Sequence, residues 1–280
     1  MKTLNLNLFV IFLTTFFLLV SCTNNPKQGT TTTKEGSEIT VVNQDMKPEI
    51  AKILNQFPTP FEVSTLVEKA KAGFIFDLTN PVENLDKYIT EQAKALYLGV
   101  YGADLSYAAV YNRSEEINIL MECTGKLTDD LGMAGIYNED LVETVKKNYD
   151  NKESLVDIFT KVFDDTKSFL SKNNKDKVSV FIVTGSFVET MYLVTSLNMT
   201  AKNNQELTKI IYNQEENLDK LLNILGSYSS DEAIKKLAEP LTNFKAFYAN
   251  NPTKPNENLT PEKAVELKNL VEAARASFAN

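Results

Sequence analysis

Asp104 stands three positions from Tyr101 and three from Tyr107, in a stretch otherwise built mainly of Leu, Val, Ala and Gly. A carboxylate in such surroundings loses its water and must be hydrogen-bonded or neutralised. Flanked by phenols, it could orient a ligand or move a proton. Glu189 and Tyr192 repeat the acid-x-x-Tyr spacing in a second apolar stretch. The five side chains Tyr101, Asp104, Tyr107, Glu189 and Tyr192 are therefore candidates for a ligand site or for a structural polar network. On the structural reading, each acid ties its helix to a Tyr hydroxyl, a backbone N–H or a Lys/Arg of a neighbour. Structural networks perturb carboxylates as readily as active sites do, and that reading is preferred. A shared site predicts that Asp104 and Glu189 face a common interior cavity.

Another reactive group is the thiol of Cys22. Lys2 is followed by an apolar run to Val20 and then by Leu19-Val20-Ser21-Cys22, which resembles the lipobox of bacterial lipoprotein signal peptides. Small Ser21 suits the cleavage position, and the Cys22 thiol is the nucleophile that takes a diacylglycerol thioether. The alternative is an uncleaved membrane helix, but residues 4–20 provide only 17 positions, with Asn5 and Asn7 among them. A spanning helix wants about 20 apolar residues. The expected division is a signal peptide over 1–21, an acylated Cys22 with a disordered tether over 22–44, and a helical domain over 45–280. Two or three acyl chains, at about 0.8 kcal/mol per buried methylene, anchor stably where one binds reversibly.

Composition excludes much of the remaining chemistry. The chain has no His and no Trp, and its only other cysteine is Cys123. Without His there are no Ser-His-Asp or Cys-His nucleophile systems and no imidazole metal sites. With Cys22 acylated, no intramolecular disulfide forms, so the fold must rest on its core. Cys123 sits on an apolar seam, where a free thiol acts as a small hydrophobe. The doublets Asp129-Asp130, Glu139-Asp140, Asp164-Asp165 and Glu215-Glu216 lack the ligand spacing of a calcium loop and read as solvated helix faces. No metal site is expected. No phosphate loop or dinucleotide fingerprint occurs, so no cofactor is expected. A net charge of −8 without a Lys/Arg cluster argues against nucleic acid as a partner.

The elements that must position these groups read as helices. Beyond the polar run at 23–37, apolar residues recur three and four apart, and 43% of the chain is hydrophobic. Ser114 precedes a stripe of Ile117, Leu120, Thr124, Leu127 and Leu131, ended by Gly132. Asn151 caps a helix carrying Leu155, Ile158, Val162, Thr166 and Phe169. A third seam is Leu207, Ile211, Gln214, Leu218, Leu221 and Leu225, closed by Gly226, with Glu216 and Lys220 paired on its outer side. Ser229 and Glu232 read as a capping box, and Pro240 should kink or split the helix that follows. Thr260-Pro261 opens a last helix running to about Phe278.

Two stretches differ, being apolar or small on nearly every side: residues 84–111 and 178–199. Both read as central helices. The β-branched run at 178–184 also suits a strand, but nothing of similar quality could pair with it. Gly99, Gly102 and Ala103 place small residues on successive turns, where a neighbouring backbone can approach. The fold class expected is all-α: a single compact multi-helix bundle of eight to ten helices around two central apolar ones, after the signal peptide and tether.

The run Pro58-Thr59-Pro60-Phe61-Glu62, then Asn80-Pro81-Val82, Lys87-Tyr88 and Gly99-Val100-Tyr101-Gly102-Ala103-Asp104-Leu105-Ser106-Tyr107, resembles a family of uncharacterised Bacteroidetes lipoproteins. Asp130-Leu131-Gly132 and residues 185–193 fit the same pattern. The resemblance implies a helical lipoprotein and no known activity. The functional expectation is a protein lipid-anchored to a bacterial membrane, on the periplasmic side or in the outer membrane. It should bind an envelope protein partner or a small ligand without catalysis. An enzyme working through buried carboxylates and tyrosines, or a purely structural envelope protein, are the alternatives.

Overall fold

A helix with apolar side chains on all sides belongs in the middle of a protein or in a membrane, and both such segments here occupy the middle of the fold. A computed structural model describes residues 47–201, 204–252 and 257–279 of the chain. The signal peptide, Cys22 and the tether lie outside the described residues. All described residues belong to one compact unit. They form ten α-helices and no strand: α1 (Lys47–Asn55), α2 (Pro60–Lys69), α3 (Glu91–Val110), α4 (Ser114–Asp130), α5 (Glu139–Lys147), α6 (Lys152–Lys172), α7 (Asp176–Thr200), α8 (Gln205–Gly226), α9 (Glu232–Asn250) and α10 (Pro261–Ala276).

Helices α3 and α7 pack on each other at the centre. Between Ala95 and Val110 only Gly102 escapes full burial, and between Val178 and Leu197 only Tyr192 does. The β-branched run at 178–184 is helical. Burial on every side outweighs its β-propensity, which is weak without a partner strand. By length and composition α7 could also cross a membrane, but 94% of its apolar window is buried inside the protein.

The two central helices touch backbone to backbone. A Cβ added at Gly99 would lie 2.0 Å from the carbonyl oxygen of Ile182 and 2.7 Å from the amide nitrogen of Ser186. One added at Gly185 would lie 2.0 Å from the carbonyl oxygen of Leu96. Neither position tolerates any side chain, because the obstacle is backbone. Gly102 is different: no atom of another element lies within 4 Å of the corresponding point. The expected role of small residues in close approach therefore belongs to Gly99 and Gly185, and not to Gly102, which faces partly outward.

The outer helices each bury one stripe. On α8 the seam Leu207, Ile211, Gln214, Leu218, Leu221 and Leu225 is buried along its length, and Lys220 pairs with Glu216 at 2.7 Å on the outside. Asn151 accepts from the Ser154 amide, and Thr260 accepts from the Lys263 amide with Pro261 in the first turn. After α4, Gly132 takes φ +76°, and the amides of Gly132 and Met133 return to the carbonyls of Asp129 and Thr128. That double return closes the helix as its left-handed glycine predicts.

Two terminus readings need correction. Ser114 is the first residue of α4 and does not cap it; Arg113 holds the cap position without a side-chain bond. The α9 cap is Asp231, whose carboxylate accepts from Ala233 and Ile234, so Ser229 and Glu232 form no capping box. A carboxylate two residues later displaces the serine because it takes two amides at once and pairs with Lys177. Pro240 lies inside α9 without splitting it. The carbonyl that loses its partner belongs to Lys236, on the exposed side, where water can serve it.

The glycine contact yields an opposed pair of expectations. Gly99→Ala should destabilise the fold by about 2 kcal/mol or more through backbone overlap. Gly102→Ala should stabilise it by up to about 1 kcal/mol through helix propensity alone. Urea unfolding of both variants checks this, and equal effects at the two positions would refute the backbone contact.

Candidate functional site

Between α2 and α3 the chain runs for some twenty residues with only two short 3-10 turns, Phe76–Leu78 and Val82–Lys87. Backbone groups in such a stretch need partners outside regular structure. Helix α3 supplies them from one face. Tyr111 donates to the Ala72 carbonyl at 2.5 Å, and Tyr107 accepts from the Ile75 amide at 2.8 Å and reaches the Gly73 carbonyl at 3.4 Å. Asp104 accepts from the Asn80 amide at 2.8 Å, and Tyr101 donates to the Pro81 carbonyl at 2.9 Å. Residues 101, 104, 107 and 111 recur every three or four positions, so one helix stripe fastens the segment from end to end. Phe74 stacks on Tyr107 with ring centroids 4.7 Å apart, adding an apolar clasp to the polar ladder.

Asp104 faces a second partner across the central helices. Asp104 lies five residues beyond Gly99, and Glu189 four beyond Gly185, so the two acids meet just past the crossing. Both are 0% exposed. Arg275, in the last turn of α10, holds Glu189 in a bidentate pair, Nε to Oε2 at 2.5 Å and Nη2 to Oε1 at 2.9 Å. Its guanidinium also lies over the Tyr192 ring, 4.3 Å from the centroid. Asn80 joins the parts: its Nδ2 donates to the Tyr88 hydroxyl at 3.1 Å, and its Oδ1 accepts from Arg275 at 3.5 Å. Tyr88 in turn stacks on Tyr97 with centroids 3.5 Å apart.

One guanidinium cannot balance two buried carboxylates, so one acid must hold a proton. Burial first, and the neighbouring Glu189 charge second, push Asp104 well above the usual carboxylate range. The Asn80 amide and Arg275 oppose that shift without cancelling it. Burial also raises Glu189, while Arg275 pulls it back down. The side chains lie within hydrogen-bonding reach of each other, yet Oδ1 of Asp104 finds no donor. Two ionised carboxylates would repel there. A proton on Asp104 satisfies the geometry, with Asp104 donating to a Glu189 that stays ionised against Arg275. Burial likewise raises the phenols of Tyr97 and Tyr107 to about 12, which keeps them neutral donors.

The structure thus brings Asp104 and Glu189 together, places Tyr101 and Tyr107 on the 72–81 segment and not on the acids, and puts Tyr192 under Arg275. The acids meet directly and not across an open cavity. Arg275, Asn80, Tyr88 and Tyr111 complete the cluster; of these the sequence marks only Asn80 and Tyr88, as part of the lipoprotein resemblance and not as site residues. One signal existed for Arg275: it is one of only two arginines in the chain, and it sits beside the apolar stripe of Leu267, Val271 and Phe278. Cys123 is buried and its thiol is pushed up to about 11, first by burial and then by Glu122. Among the described residues no group of three or more His, Cys, Asp or Glu could hold a metal ion.

Comparison with protein families, with curated proteins and with solved structures returns no match to this chain.

Two expectations follow from the shared proton. An acid whose folded pKa exceeds its unfolded value binds extra protons when folded, so its contribution is full below the ordinary 3.8 and is lost as pH rises through the folded pKa. Asn in place of Asp104 keeps an acceptor for the Asn80 amide and a donor for Glu189. The stability of the native chain should therefore fall relative to Asp104→Asn as pH climbs above 4, by up to about 1.4 kcal/mol per pH unit. Urea unfolding of both chains from acid to neutral pH reads this, and parallel curves would leave Asp104 with an ordinary pKa. Arg275→Met should cost about 3 kcal/mol or more by stranding a buried charge. Adding Glu189→Gln should recover most of that loss; a double variant no better than the single one would reduce Arg275 to a packing role.

Proposed function

We propose that this is a lipid-anchored protein of the bacterial cell envelope that binds a small ligand or a partner protein without transforming it. The observation that carries the non-catalytic part is the closure of the polar cluster. Asp104 and Glu189 are 0% exposed; Oδ2 of Asp104 takes the Asn80 amide, its Oδ1 is sealed in the core without a donor, and both Glu189 oxygens are held by Arg275. A general acid or base must come within hydrogen-bonding reach of the group it serves. Here burial on every side keeps an outside group from coming that close. Tyr101, Tyr107 and Tyr111 are engaged with backbone, and Tyr192 lies under the Arg275 guanidinium. Cys123 is shifted away from the thiolate that a nucleophile requires.

The raised carboxyl pKa values are the one observation that favours an enzyme. They have a sufficient cause in mutual burial beside a single arginine, which structural clusters share with active sites. The anchor rests on Leu19-Val20-Ser21-Cys22 and the apolar run before it. The likeness to Bacteroidetes lipoproteins in the Gly99 to Tyr107 motif points the same way.

Growth of a bacterium expressing the full chain with an alkyne-bearing palmitate should label the protein and place it in the membrane fraction. Cys22→Ser should lose the label and reach the soluble fraction or stall as precursor. An unlabelled native chain would overturn the anchor. Crosslinking in native membranes, followed by mass spectrometry, separates the two kinds of partner: a stoichiometric protein neighbour supports one, and its absence supports a small ligand.

A further inference from the structure

A groove of about 360 Å³ opens where the 76–83 stretch passes the first turns of α4. That size lies within the range of small-molecule sites. Its body is apolar, formed by Phe76, Pro81 and Ile119 among others. Phe76 is 61% exposed and Ile119 39%, so both offer apolar surface to the groove. The charge around this body has one sign. Asp77, Glu83 and Glu116 line the groove, and no Lys or Arg does.

Glu116 is the informative acid. It is 8% exposed, yet Arg113 bonds only its Oε1, at 3.1 and 2.8 Å. Arg113 also lies over the Phe74 ring, 5.0 Å from its centroid, which draws the guanidinium toward the neighbouring aromatic cluster. Oε2 of Glu116 has no hydrogen-bond partner among the described residues, and Asp77 and Glu83 enter no ion pair there. An anion entering this groove would meet three carboxylates, with the one nearby guanidinium, Arg113, outside the lining. A neutral apolar molecule would gain only the hydrophobic contact. A cation with an apolar body gains both, and its ammonium can also face the Phe76 ring.

The wall is also prepared in advance. Asn80 lines the groove and is fixed from behind through its backbone amide, its Nδ2 and its Oδ1 by Asp104, Tyr88 and Arg275. The Pro81 carbonyl beside it is held by Tyr101. A wall ordered before binding spares the ligand the entropy of ordering it.

We propose that this groove binds a small organic amine in its ammonium form, with an aromatic or aliphatic body laid on Phe76 and Ile119 and its cationic end toward Glu116. The proposal deepens the binding reading above and rests on it. Asp104 and Asn80 then act as positioning residues for the groove wall.

The test uses the full chain purified in detergent and three probes of nearly equal shape: 4-fluorophenethylamine, 2-(4-fluorophenyl)ethanol and 4-fluorophenylacetate. Fluorine NMR of each probe reads binding, and the chain with Ile119→Lys controls for partition into micelles. The amine should bind saturably, at least about tenfold more tightly than the alcohol, and the carboxylate not at all. Glu116→Gln should weaken the amine at least about fivefold and leave the alcohol unchanged. Asp77→Asn, at an exposed position, gives a second reading if the Glu116 variant folds poorly. An alcohol as tight as the amine, or an amine indifferent to Glu116→Gln, Asp77→Asn and Ile119→Lys, overturns the proposal. Preference for the alcohol or carboxylate, lost in the Ile119 variant, removes the cationic class but leaves a binding protein. Absence of saturable binding by every probe removes the groove as a site for such ligands, and the membrane crosslinking then judges the binding reading separately.

Discussion

The contact between Gly99 and Gly185 sets the terms for everything packed around it. Two helix backbones can meet only where side chains are absent from both sides, and the carbonyls of Leu96 and Ile182 occupy the space a Cβ would need. Helices that close present little groove between them, so their remaining surfaces must be covered by other elements. This is why α3 and α7 are apolar all round while the outer helices bury single stripes. The crossing also places Asp104 and Glu189 against each other. A wider separation would admit water or a side chain between the acids and change their chemistry altogether.

What the acids then do follows from scarcity of positive charge. One arginine reaches them, from a helix 86 residues beyond Glu189 in sequence. The arrangement of lowest charge holds one proton, one anion and one cation, which together are neutral. Replacing such a cluster by hydrocarbon often costs no stability, so stability alone does not account for it. Here a role is visible in Asn80. Asp104 and Arg275 hold an irregular segment that has neither helix nor strand to fix its course, and the tyrosines of the same α3 face hold the rest of it. Asp104 therefore serves two neighbours at once, an acid behind it and a loop amide before it. Its pKa is raised by burial first and by Glu189 second, against the pull of that loop amide.

The helical architecture was legible because periodicity is a local property. The α8 seam, the Asn151 and Thr260 caps and the left-handed Gly132 each depend on residues within a few positions of one another, and each stands where spacing puts it. The two central helices were legible for the converse reason: a helix without a polar face is either a core helix or a membrane span, and seams on the surrounding helices supply the cover a core helix needs. Pairing of faces was not legible. Asp104 and Glu189 stood out individually, and their matched spacing suggested a shared site, but periodicity is silent about which stripe meets which. Arg275 belongs to a third helix, and Asn80 to a stretch without period. Gly102 misled because one glycine in a helix looks like another, whereas only the partner backbone distinguishes a contact from an open surface. Ser229 misled because a carboxylate nearby could form the same cap with more bonds.

The link between core and surface bears on how such a protein could acquire a binding face. Loops usually gain variety by being loosely held, and a loosely held wall makes a poor site. The 72–81 segment escapes this conflict because its backbone is fixed from beneath by side chains of α3, leaving Phe76 and Asp77, and Glu83 just beyond it, free to point outward. Its outward residues can change without touching the ladder, while the ladder residues cannot change without moving the wall. Sequence variation among proteins built on this plan should then divide along that boundary. The residues at 101, 104, 107 and 111 act as scaffold, and those at 76, 77, 83 and 119 set what the groove accepts.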